Sequence, residues 1–86
     1  MKFKVKNVFI KAAKLKEGVY FAKEVEGVKL EIADAKAQDS LIPIMIKKEK
    51  KGDYYIVDIP DSIVDKIKHR DGSEIDLAPD GSIYIL

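Results

Sequence analysis

The feature that most constrains this chain is a proline between a strand-like apolar run and an apolar stripe at helical spacing. Pro60 has a fixed φ and no amide hydrogen, so it fits the first turn of a helix but not its interior. The apolar residues Ile59, Ile63, Val64 and Ile67 then share one face of about two helical turns. Because so short a helix is unstable alone, the pattern predicts that it packs against a sheet.

The residues after this helix predict a hairpin. Apolar and polar residues alternate over 74–77 and again over 82–85, as in strands with one buried face. Between these runs, residues 79–82 read Pro-Asp-Gly-Ser, which is the composition of a tight turn. The expected order over residues 56–86 is therefore strand, helix and hairpin.

This order of parts resembles the AbrB/SpoVT family of swapped-hairpin DNA-binding domains and the related MazE-type antitoxins, over roughly residues 44–86. The residues that carry the resemblance match the family pattern in order, with no insertion or deletion between them. They are Ile59-Pro60, Ile63, Ile67, Gly72-Ser73, Ile75 and Leu77. Lys50-Lys51-Gly52 also resembles the Lys-Gly turn before the Ile-Pro strand of the family, with more residues between. The resemblance implies a small barrel of the swapped-hairpin or cradle-loop type, DNA binding as a transcription regulator or antitoxin, and a homodimer.

The chain differs from the family at the positions where family members contact DNA. Family members place Arg or Lys on the strand before Ile-Pro and just after it, whereas this chain has Ile56, Asp58, Asp61 and Asp65 there. Acidic groups repel a phosphate backbone, and each lost phosphate contact removes part of the counterion-release free energy. We therefore expect any DNA contacts to lie elsewhere on the surface.

The first 42 residues are expected to be mostly strand. Lysines alternate with apolar residues over 2–6, which predicts a strand with one basic face. The alternation breaks at residues 8–10, where we expect a bulge or a fully buried segment. Residues 12–18 fit either a helical turn ending at Gly18 or a plain connection. Short strands are expected at 19–22 and 28–32, on either side of a Glu-Gly turn.

In the middle of the chain, residues 33–40 predict a loop or a brief helix. Pro43 limits the strand at 41–46 to a sheet edge or places the proline at the start of that strand. Residues 47–53 form a charged tip, and 54–57 return as the partner strand. The predicted fold class is thus mostly β, a β-rich α+β barrel in one domain of residues 1–86, with one short helix at about residues 60–69.

A weak internal match bears on the domain organisation. Residues 27–33 match residues 72–78 in pattern, so residues 1–42 could be a diverged copy of the family-like half at 43–86. Glycine followed by alternation is common in β proteins, however, and this explanation is left open beside the first.

The composition indicates a globular protein of the cytoplasm. Apolar residues make up 47% of the chain and charged residues 36%, which excludes a disordered protein. The chain has no cysteine, which excludes disulfides and thiolate metal sites. No apolar run approaches the ~20 residues of a membrane span, so no membrane partner is expected. Abundant Lys and Glu with few amides fits either heat adaptation or a lysine-rich genome.

Charge is unevenly distributed and indicates a basic surface. Residues 1–16 contain six lysines and no acid, whereas residues 53–86 contain eight acids and three basic residues. Such asymmetry is typical of a polyanion-binding face, and nearby tyrosines would suit single-stranded nucleic acid. Lysines that only protect an edge strand, or that pair with the acidic end, explain it equally simply. The predicted nucleic-acid-binding residues are Lys2, Lys4, Lys6, Lys11, Lys47, Lys48, Lys50 and Lys51.

The sequence contains no catalytic constellation. His69 is the only imidazole, and its position after the predicted helix favours a capping role. The Asp-Gly segments lack the ligand spacing of a calcium loop, so no metal or other cofactor is expected. Two non-catalytic functions remain: an AbrB-like DNA-binding regulator or antitoxin-type module, and a β-rich protein interaction module without nucleic-acid binding. The second would act by strand addition or as a dimer.

Overall fold

Alternating buried and exposed residues arrange nearly half of the described residues as strands. The structure is a computed structural model, and it describes residues 1–33 and 41–86. Its strands are β1 (Lys2–Lys6), β2 (Gly18–Val25), β3 (Lys29–Ala33), β4 (Ile42–Lys48), β5 (Tyr54–Asp58), β6 (Ile75–Leu77) and β7 (Ser82–Ile85). Its helices are α1 (Asn7–Ala12) and α2 (Asp61–Ile67).

The strands of the described residues form one sheet in the order β1-β5-β4-β2-β3-β7-β6. Every neighbouring pair is antiparallel. The sheet curls into a nearly closed barrel, which confirms the expected mostly-β fold with a short helix. The edge strands β1 and β6 face each other across the remaining gap, which we call the seam.

The core is formed by the inward-facing residues of the strands, which we call the inward phase, together with one face of each helix. Fully buried side chains come from α1 (Ile10), β3 (Leu30), β4 (Ile44) and the residue that follows β5 (Ile59). Burying a side chain of this size stabilises the fold by about 1.5–3 kcal/mol. The inward phase therefore fixes which face of each strand remains for function.

The helix after Pro60 forms as predicted but is shorter. It runs Asp61–Ile67 and buries Val64 and Ile67. His69 lies beyond its end instead of in its last turn, so it does not cap the helix. Its Nε2 donates a hydrogen bond to the carbonyl oxygen of Val28 at 3.0 Å, which ties the segment after α2 to the β2–β3 turn.

The prediction of a bulge or a buried segment at residues 8–10 is wrong, because residues Asn7–Ala12 form α1. Only Ile10 is buried within this helix, and Val8 and Phe9 are exposed. Valine, phenylalanine and isoleucine favour strands when considered locally. Packing of Ile10 into the core overrides that preference, so the described residues contain two helices, whereas the predicted fold class had one.

The position of Pro43 agrees with the second of its two predicted placements. It is the second residue of β4, which lies inside the sheet between β5 and β2. Pairing with β5 begins only at Met45, so Pro43 lies beyond that ladder. Of the loop or helix expected at residues 33–40, residues 34–40 lie outside the described residues.

Two parts of the chain repeat one order of elements. Unit 1 is β1, α1, β2 and β3, and unit 2 is β5, α2, β6 and β7. In both, a strand leads into a helix and then into a hairpin, and the units meet through the β1–β5 and β3–β7 pairs. By this order the counterpart of β3 is β7, whereas the matched residues 27–33 and 72–78 fall on β3 and β6. That the first half is a diverged copy stays a prediction.

Candidate nucleic-acid interface

The lysines of β1 lie beside the outward residues of β5 and β4. In the ladder, Lys4 is opposite Ile56, and Ile56 is opposite Lys47. Lys6 is opposite Tyr54 at the end of β5 near the charged tip. Directly opposite residues have Cβ atoms about 4.5–5.5 Å apart, so these side chains form one continuous outer surface.

The predicted binding lysines gather around this surface. One groove of about 1060 Å³ is lined by Tyr54 and by five lysines, namely Lys2, Lys47, Lys48, Lys50 and Lys51. A neighbouring groove of about 500 Å³ is lined by Tyr54, Lys6 and Lys11. The remaining lysine, Lys4, places its Nζ 4.9 Å from the centre of the Tyr54 ring. We call the eight lysines and Tyr54 the basic face.

The lysines of the basic face are not neutralised by neighbouring carboxylates. Within residues 1–33 and 41–86, the lysines in ion pairs are Lys23, Lys29, Lys66 and Lys68, and none of these belongs to the basic face. Lys4 makes a cation–π contact instead, which leaves its charge unneutralised. The basic face therefore presents its charge to solvent.

Some acidic residues border the basic face, and two of them already have partners. The Glu17 carboxylate accepts a hydrogen bond from the backbone N–H of Lys48 at 2.9 Å. Asp58 lies 3.4 Å from the Met1 ammonium nitrogen. The same ammonium lies 2.6 Å from Asp61, and this hydrogen bond is the main cause of its raised pKa.

These contacts bear on the acidic departures from the family pattern. Asp58 and Asp61 share one ammonium group, and the Asp65 carboxylate lies 3.7 Å from the Lys68 nitrogen. Asp58 is at the end of β5 farthest from the charged tip. Asp58 therefore lies at the Lys2 end of the basic face, opposite Lys2 in the β1–β5 ladder.

An exposed apolar strip beside the basic face was missed by the sequence reasoning. Met45 lies opposite Val19, and Pro43 lies opposite Phe21, on the outer side of β4 and β2. Val19 is 55% exposed and Met45 is 52% exposed. The alternation in 18–25 could have shown that Val19 and Phe21 share a face. It could not show that β4 adds its own outward residues to that face.

The described residues offer no metal centre. They contain no group of three or more His, Asp or Glu side chains placed to hold a metal ion. His69, the one imidazole, is engaged with the Val28 carbonyl. In the part of the chain that the structure describes, no helix is long and apolar enough to cross a membrane.

Comparison with protein-family models, with curated proteins and with solved structures finds no match for this chain. The AbrB/SpoVT resemblance therefore rests on the residues quoted for it and stays a prediction.

Proposed function

We propose that this protein binds the backbone of a nucleic acid through the basic face, as a non-catalytic DNA-binding regulator or antitoxin-type module of the kind the AbrB/SpoVT resemblance implies. The observation that carries the proposal is the gathering of eight lysines from β1, α1, β4 and the tip around Tyr54. None of the eight is held in an ion pair within the described residues.

The chemistry of the face determines the kind of binding expected. Lysines that contact phosphates release condensed counterions, so the affinity should fall steeply with salt. Lysine is a point charge and lacks the fixed fork of arginine that reads guanine, so little base specificity is expected. Tyr54 adds an aromatic ring on which an unpaired base can stack, which favours single strands over duplex.

The test is an anisotropy titration of labelled duplex and single-stranded oligonucleotides at about 50 and about 200 mM salt. In the variant Lys2→Gln/Lys4→Gln/Lys6→Gln, we expect binding at low salt to weaken about tenfold or more. The slope of log K against log salt should fall by about 2–3, because each phosphate contact contributes about 0.7–0.9.

A matched control removes the same number of positive charges from outside the basic face. In Lys66→Gln/Lys68→Gln/Arg70→Gln, two lysines leave ion pairs with Glu24 and Asp65, and none of the three residues belongs to the basic face. The control should bind nearly as the parent does. Equal weakening in both variants, or no binding by the parent at low salt, contradicts the proposal.

The apolar strip favours a second candidate, a protein interaction module. Exposed Val19, Phe21 and Met45 form a contiguous apolar area of the kind that marks protein contacts. If the strip joins two copies, light scattering should give a dimer mass that Met45→Glu reduces to a monomer. A monomeric parent would exclude self-association as the use of the strip.

A further inference from the structure

We propose that the seam is an acceptor site for one added β-strand, supplied by an extended segment of a partner protein with an apolar residue at every second position. The proposal goes beyond both candidate functions, because the seam lies at β1 and β6 whereas the apolar strip lies on β2 and β4. It is independent of the nucleic-acid proposal, which depends on lysine side chains and not on strand pairing.

Among the strands of the described residues, β1 and β6 run in a direction that does not allow them to close the barrel as an antiparallel pair. All six neighbouring pairs are antiparallel, so the first and seventh strands in the order, β1 and β6, run in the same direction. An all-antiparallel barrel closes only with an even number of strands. One inserted strand, running opposite to both β1 and β6, would complete the pattern.

The two units identify what such a strand looks like. β4 belongs to neither unit and lies between β5 of unit 2 and β2 of unit 1. Exchanging the two units replaces β5 by its counterpart β1 and β2 by its counterpart β6. The position between β5 and β2, which β4 occupies, then corresponds to the position between β1 and β6, which is the seam. Of these two equivalent positions, the residues that the structure describes fill the first with β4 and supply no strand for the second.

The free edge of β1 presents backbone groups to the seam. Met1 and Ile59 are hydrogen-bonded partners, as are Asn7 and Asp53, so odd-numbered residues of this strand bond to β5. Backbone groups alternate in direction along a strand. The N–H and C=O groups of Lys2 and Lys4 and the N–H of Lys6 therefore point away from β5 and into the seam, while the C=O of Lys6, the N-cap residue, belongs to α1.

The free edge of β6 matches this arrangement. Leu86 donates to Glu74, and Ala78 donates to Ser82, so even-numbered residues bond to β7. The backbone groups of Ile75 and Leu77 consequently point into the seam. A strand placed there can bond to β1 with its outward residues and to β6 with its inward residues, as the alternation of a β-strand requires.

The seam offers a groove of about 490 Å³ bounded by both edge strands. At their closest, Cα atoms of β1 and β6 approach within 8 Å. Two strand spacings require about 9.5 Å, so the seam must widen by at least about 1.5 Å at this point to admit a strand. Since β1 pairs with β5 and β6 pairs with β7, widening breaks no ladder between β1 and β6.

The side chains around the seam specify the occupant. Its inward residues would pack against Phe3 and Val5 of β1 and Leu77 of β6, all buried apolar residues. Its outward residues would lie between the lysines of β1 and two acidic residues, Asp76 of β6 and Glu74 just before it, so no net charge is selected. β4 shows the required pattern, because Ile44 and Ile46 point inward while Met45 points outward.

The experiment uses the full chain and a labelled synthetic peptide with the sequence of residues 41–48. Binding should slow hydrogen exchange at the amides of Lys4 and Lys6 about tenfold or more, as new backbone hydrogen bonds form there. Exchange at Ile56, whose partner is Lys47 of β4, should not change. Peptide binding that leaves exchange at Lys4 and Lys6 unchanged would mean that the peptide occupies another position, such as that of β4, and it would overturn the assignment to the seam.

Two variants of Lys4 separate backbone pairing from side-chain binding. Lys4→Pro removes an N–H that faces the seam and should weaken peptide binding about tenfold. Lys4→Ala keeps that N–H and should leave peptide binding unchanged while weakening nucleic-acid binding. Circular dichroism of Lys4→Pro should match the parent, because the lost N–H has no partner in β5.

Several results would overturn the proposal. These are equal peptide affinity for Lys4→Pro and Lys4→Ala, equal binding of a scrambled peptide, or no binding at millimolar peptide. A dimer that forms without peptide and that Lys4→Pro dissociates would place a second copy of this chain in the seam and exclude a segment of a different protein. Loss of nucleic-acid binding alone leaves the seam proposal standing, so the two can fail separately.

Discussion

Units 1 and 2 have the same order of elements, but the outward-facing side chains of their first strands differ in charge. Both bury apolar residues at corresponding places, such as Ile10 in α1 and Val64 in α2. On the outside, β1 carries three lysines, whereas β5 carries Tyr54, Ile56 and Asp58. The inward phase is therefore sufficient to build either unit, and the outward phase is free to differ in chemistry.

The units also differ in what surrounds their first strands. β5 lies between β1 and β4, while β1 has β5 on one side and the seam on the other. Lysines on an edge strand discourage unwanted pairing of strands between molecules. The same three lysines can thus prevent unwanted strand pairing at this edge and also form part of the basic face. Substitutions in the core and exchange measurements at the edge separate the role of the core from that of the edge.

The largest expected effect is a loss of stability when a buried core residue is truncated, which tests the inward phase that both units share. Ile67 of α2 is 1% exposed, and Ile67→Ala should lower the free energy of unfolding by about 2–5 kcal/mol. Ile63→Ala, in the same helix but only partly buried, should cost less because a smaller cavity forms. Urea denaturation measures both. Equal losses would contradict the idea that Ile67 holds α2 on the barrel.

The next effect compares the two first strands directly by amide hydrogen exchange. Ile56 lies in a hydrogen-bonded pair with Lys47, since Glu49 donates to Tyr54 two residues away along the same ladder. The Lys4 amide faces the seam instead. We expect Lys4 to exchange at least about a hundredfold faster than Ile56 in the free protein. Similar protection at both sites would show that the seam is closed in solution.

The hairpin turns of the units give a smaller contrast. Glu26 in the β2–β3 turn has φ of 53°, and Gly81 in the β6–β7 turn has φ of 89°. Because a side chain is strained in this region, Glu26→Gly should raise the free energy of unfolding by about 0.5–1 kcal/mol. Gly81→Ala should lower it by about 1 kcal/mol. Urea denaturation checks both, and changes of the same sign would contradict this reasoning.

The sequence alone predicted the structure where local sequence signals and tertiary packing favour the same element. Pro60 and the stripe ending at Ile67 predicted α2, and strict alternation predicted β1 and the last hairpin. It failed at α1, because Val8 and Phe9 favour strands locally and only the burial of Ile10 makes a helix the better choice. Local preference cannot include a contact that the rest of the barrel supplies.

The candidate site was predictable as a set of lysines but not as a surface. Charge asymmetry identified the lysines of residues 2–11 and 47–51, yet nothing in the sequence places those segments together. Their proximity comes from the β1–β5 and β5–β4 ladders, which join residues far apart in the chain. The seam was hidden for the same reason, since edge strands are defined only by long-range pairing.

The smallest expected effect concerns pH and again separates the units. In unit 2, Asp71 accepts hydrogen bonds from the side chain and backbone of Ser73, at 2.7 and 3.0 Å, and these bonds lower the pKa of Asp71. Asp80 accepts a bond from the backbone N–H of Ser82 at 2.9 Å, which lowers its pKa.

A carboxyl group whose pKa is lower in the folded state stabilises the fold fully above its unfolded value of about 3.9. This stabilisation is lost as the pH falls through the folded-state pKa. Asp71→Asn/Asp80→Asn should therefore melt at a lower temperature than the parent at pH 5, and the difference should shrink as the pH falls toward 2. Thermal melts across this range measure it. A difference that stays constant with pH would mean that these turns depend on their shape and not on carboxylate charge, which would remove this contrast with the Glu26 turn of unit 1.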